Sequence, residues 1–156
     1  MRHALEKFLE WVVVALMASM ALVVVAGVLF RKFGAPLVWY DEVAPILLAW
    51  LTYYGSCLAA LKRAHIGFPR FVSAASWRLK LSLTIVREVV VIGFFALAAW
   101  AGWKVLEVLE GTSLISLPWA PAQFTQSVIP LSALLFIVVE LTAFAEWYSA
   151  EREAPR

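Results

Sequence analysis

Apolar residues fall into four long runs along this chain, separated by polar, turn-rich segments. Residues 11–30 carry no charge, and neither do residues 43–61. Residues 81–103 hold Arg87 and Glu88 early and then run uncharged from Val89 to Trp103. Residues 123–144 contain Pro130 and, toward their end, Glu140. Each run is near 20 residues, enough at about 1.5 Å per residue to cross a hydrocarbon core about 30 Å thick. The pattern predicts an all-α membrane protein with four transmembrane helices. Residues 1–156 form a single membrane domain with a polar tail over 149–156.

The first run resembles a signal peptide only superficially. It exceeds an h-region of about 7–15 residues, and the lead before it carries the acids Glu6 and Glu10. No clean small-x-small cleavage site precedes Arg31, so the run is read as a retained span.

The connections have their own signals. Gly34 and Pro36 mark a turn after the first run. Asp41 is expected to cap the second helix, with Glu42 in its first turn, where the helix dipole favours an anion. Pro45 is tolerated that early because the first N–H groups of a helix lack intrahelical partners. Residues 62–80 are the most basic stretch, with Lys62, Arg63, Arg70, Arg78 and Lys80. Within it Phe68, Phe71, Val72, Ala75 and Leu79 recur at spacings of three and four. That period predicts a short interfacial helix between helices two and three, anchored by Trp77. Residues 104–121 read as a loop containing Gly111, Pro118 and Pro121.

Composition narrows the class. The chain is 63% hydrophobic and 15% charged, against about 45–50% and about 25% for soluble domains. An ordinary soluble domain, a disordered chain and a nucleic-acid-binding module are excluded. The net charge of +2 says little; the placement of charge says more. Nine Lys and Arg lie in the lead, the middle connection and the tail, against three in the other two connections. The positive-inside rule then puts both termini in the cytoplasm. Most of the eight Trp fall near the ends of apolar runs, as an aromatic belt requires; Trp50, near the middle of the second run, is the exception. The single cysteine, Cys57, lies in an apolar run and reads as a small buried side chain.

Candidate chemistry is sparse. The only histidines, His3 and His65, lie outside the runs, which excludes a haem held between helical histidines. No His-Glu-x-x-His motif, paired Asp motif or glycine-rich phosphate loop occurs. Arg87 and Glu140 sit at similar depth on the same side, roughly 6–12 Å into the membrane at about 1.5 Å per residue. They are expected to pair with each other, or Arg87 with Glu88 through a partner helix. Ala15-x-x-x-Ser19, Gly55-x-x-x-Ala59 and Ala98-x-x-x-Gly102 permit close helix approach.

A set of ordered motifs remains. Arg31 closes the first run, and Trp39-x-x-Glu42 opens the second. Trp50-x-x-x-x-Gly55 follows, then Lys62-Arg63-x-His65-Ile66. Leu117-Pro118-Trp119 precedes the last run, and Ile129-Pro130-Leu131 lies within it. In order and spacing, from about Leu5 to Tyr148, the chain resembles the DctQ-type small membrane subunit of tripartite ATP-independent periplasmic (TRAP) transporters. One departure is Gly67-Phe68-Pro69, where the family often has an acidic residue after the His-Ile pair.

The resemblance implies a non-catalytic scaffold in the bacterial inner membrane, part of a sodium-coupled secondary transporter importing a small organic anion such as a carboxylate. It implies a large DctM-type multi-span subunit and a periplasmic substrate-binding protein as partners, with lipids covering the remaining faces. No cofactor is expected in this chain, and sodium is expected at the large subunit. Arg31, Trp39, Glu42 and His65 match recurring family positions and are candidate interface or structural residues, beside Arg87 and Glu140. The small subunit of a tripartite tricarboxylate transporter and a self-sufficient four-helix exporter are the alternatives. Trp39-x-x-Glu42 and Leu117-Pro118-Trp119 favour the TRAP reading.

Overall fold

A computed structural model of the chain describes residues 2–62 and 77–153. Its helices are α1 (Arg2–Lys32), α2 (Tyr40–Leu61), α3 (Trp77–Val108), the short α4 (Ala122–Gln126) and α5 (Val128–Glu153). Among the described residues, four spans are long and apolar enough to cross a membrane: α1, α2, α3 and the α4–α5 unit. The helices extend past the apolar runs. The polar lead is already helical, α3 continues to Val108, and α5 carries the polar tail as far as Glu153. Most of the interfacial helix expected over residues 68–79 lies outside the described residues. Trp77–Lys80 belong to the first turn of α3.

The packing order differs from the chain order. α1 packs along α2, α2 along α5, and α5 along α3. The helices thus form a row, with α1 and α3 at its flanks. Burial follows: 33% of the α4–α5 span is enclosed within the chain, against 6% of α1 and 6% of α3. Trp50 contacts Thr125 and Cys57 contacts Ser132, both pairs 75 residues apart. A constant offset means that α2 and α5 run parallel. The loops before α2 and before α4 therefore share one end of the row.

The core sits toward the opposite end, where Leu9, Cys57, Ala60, Leu61, Phe136 and Val139 are buried together. Val91 and Phe95 of α3 pack against it, and the Phe95 and Phe136 rings stack 3.9 Å apart between centroids. Cys57 is a free, buried thiol whose Sγ faces the Ser132 carbonyl at 3.5 Å.

The two prolines differ. Pro45 is the sixth residue of α2, past the first free N–H groups expected to accommodate it, so its missing N–H leaves the Asp41 carbonyl without a helical donor. The last span breaks at Ser127, which puts Pro130 in the first turn of α5, where a missing N–H leaves no intrahelical bond unmade.

Candidate partner interface

The loop end of the row is organised by Glu42. α1 closes there in a Schellman arrangement, with Ala35 N–H donating to Phe30 and Gly34 N–H to Arg31. Gly34 takes φ +76°, which a Cβ would disfavour, so the chain reverses within a few residues. α2 then begins at Tyr40 with Trp39 as N-cap and no side-chain cap bond. This corrects the expectation for Asp41. The helix starts two residues too early for Asp41 to cap it, and its carboxylate instead lies 4.0 Å from Arg31 Nη2, both side chains being exposed. An exposed pair at that distance contributes little.

Glu42 occupies the first turn, as expected, but its carboxylate crosses to the other loop. It accepts from Ile115 N–H at 3.2 Å, from Ser116 N–H at 2.9 Å, and from the Ser116 hydroxyl. The loop is closed at its base by Leu114 N–H to Ala120 O (3.1 Å) and Ala122 N–H to Thr112 O (3.0 Å). A charged acceptor thus fixes the loop, leaving Ile115 (93% exposed) and Trp119 (81% exposed) on its outside.

Deeper in the row, Trp50 has a definite task. Its indole Nε1–H donates to the Thr125 carbonyl at 2.9 Å, next to the break between α4 and α5. A carbonyl released from a helical ladder inside a bilayer needs a donor from a neighbouring helix. Phe124 packs on the indole at 5.2 Å. This explains a tryptophan away from the belt.

Arg87 lies on α3 and contacts two carboxylates with one nitrogen, Nη2: Glu88, and Glu140 of α5 at 3.4 Å. The Glu88 side chain is buried and its Oε2 has no hydrogen-bond partner. At the same end, Lys62 binds Glu10 and lies 4.0 Å from Glu6, tying the end of α2 to the start of α1. The hydrogen bond to Glu10 is the main cause that raises the Lys62 pKa. His65 lies outside the described residues. Among the described residues, no three His, Cys, Asp or Glu side chains converge as a metal site.

Glu42 and the 112–122 loop, the Trp50 bond and the row of helices long and apolar enough to cross a membrane form one packed unit. Residues 20–150, most of the chain, match the DctQ component of the tripartite ATP-independent periplasmic transporters. The chain belongs to the DctQ family. No curated protein matches it. The family match favours the TRAP system over the tricarboxylate system and the self-sufficient exporter that the sequence left open.

Of the candidate residues, the structure brings Arg31 near Asp41 and Arg87 near Glu140, and places Trp39 at the start of α2. It does not pair Glu42 with Arg31 or Lys32, because the nearer donors are the loop N–H groups. Sequence reasoning missed Ser116 as the partner of Glu42, Thr125 as the partner of Trp50, and Glu10 as the partner of Lys62. The only advance signal was Trp50 itself, a polar-edged side chain at mid-span.

Proposed function

We propose that this chain is the fixed, non-catalytic scaffold subunit of a sodium-coupled secondary transporter that imports a small organic anion, a carboxylate. A large membrane subunit holds the substrate and sodium sites, and a periplasmic binding protein delivers the substrate. The observation that carries this reading is the row of helices. A closed four-helix bundle packs every helix against two neighbours, whereas here α1 packs mainly against α2 and α3 mainly against α5, which leaves an outer face exposed on each flank. A row of that kind adds width to a larger membrane protein. A transporter with one sliding part needs such a static part beside it.

The nine-to-three distribution of Lys and Arg supports an inner-membrane orientation with both termini cytoplasmic. The loop pinned by Glu42 then faces the periplasm, where Ile115 and Trp119 are available to the binding protein.

Co-purification tests the proposal. The tagged chain, expressed with its genomic neighbours in nanodiscs, is expected to retain one large multi-span protein at one-to-one stoichiometry. Substrate uptake in proteoliposomes should require both chains, sodium and the binding protein. A monodisperse chain with no large partner, or uptake by this chain alone, refutes the scaffold.

A further inference from the structure

We draw no further inference here: the strongest candidate, the open apolar groove between α1 and α2 lined by Phe8, Val12, Leu16, Ser19, Trp50 and Tyr54, is an unpartnered surface of the row, and nothing in the structure shows what covers it.

Discussion

Gly93 and Gly102 lie on the same helix, α3, and their surroundings differ. A Cβ added at Gly93 meets nothing within 4 Å. One added at Gly102 meets Ile129 Cγ2 at 2.9 Å, Pro130 Cδ at 2.9 Å and Pro130 N at 3.1 Å. The prolyl ring is tied to the backbone of α5 and cannot swing aside, so α3 must move away from α5. Overpacking of this kind costs about 1–3 kcal/mol. The ordinary gain of about 0.5–1 kcal/mol for Gly→Ala in a helix shrinks here, because a membrane-embedded helix persists when its tertiary contacts are lost. Gly102→Ala is therefore expected to destabilise the chain by about 1–3 kcal/mol, and Gly93→Ala to stay within about 0.5 kcal/mol of wild type. Unfolding in mixed micelles with increasing SDS, followed by tryptophan fluorescence, measures both. Equal midpoints for the two variants, or a larger loss at Gly93, would refute the packing of α3 on the Pro130 turn.

Three further outcomes follow from single contacts. Trp50→Phe keeps a ring against Phe124 but removes the donor to Thr125, and should cost about 0.5–2 kcal/mol in the same titration; an unchanged midpoint would mean that the carbonyl finds another donor. Glu42→Ala should speed hydrogen exchange at the Ile115 and Ser116 amides while leaving α2 and α5 protected, and it should weaken assembly or transport without changing which substrate is bound. For Lys62 the folded pKa is raised above the model-compound value of 10.5, so its pairing with Glu10 contributes fully below that value and is lost as pH rises through the higher folded value. Lys62→Met should therefore lower the unfolding midpoint equally between about pH 6 and 9, and only at more alkaline pH should the two proteins converge.

The membrane class was legible because it depends on local composition. Four uncharged or nearly uncharged runs of about 20 residues have one cheap solution in a bilayer: helices that satisfy their own backbone. Helix ends were read less well. Asp41 was expected as a cap, and α2 instead starts at Tyr40, because a cap depends on where the preceding turn delivers the chain. The candidate site was legible in its residues but not in its partners. Glu42 and Arg87 stood out as charges at span ends or inside spans, but Ser116 lies 74 residues from Glu42, and nothing near either residue marks the other.

Sequence alone determined that this chain lives in a membrane, how many times it crosses, and, through its ordered motifs, the family it resembles. The tertiary structure decided the order in which the helices pack. It placed α5 between α2 and α3, made α2 and α5 parallel, and left α1 and α3 as open flanks. The physical reason is that hydrophobicity drives each helix into the bilayer but distinguishes poorly among neighbours once there. Neighbours are chosen by close contacts that span long stretches of sequence. Here those contacts are Gly102 against Pro130, Trp50 to the Thr125 carbonyl, Phe95 stacked on Phe136, and Glu42 holding the loop at Ser116.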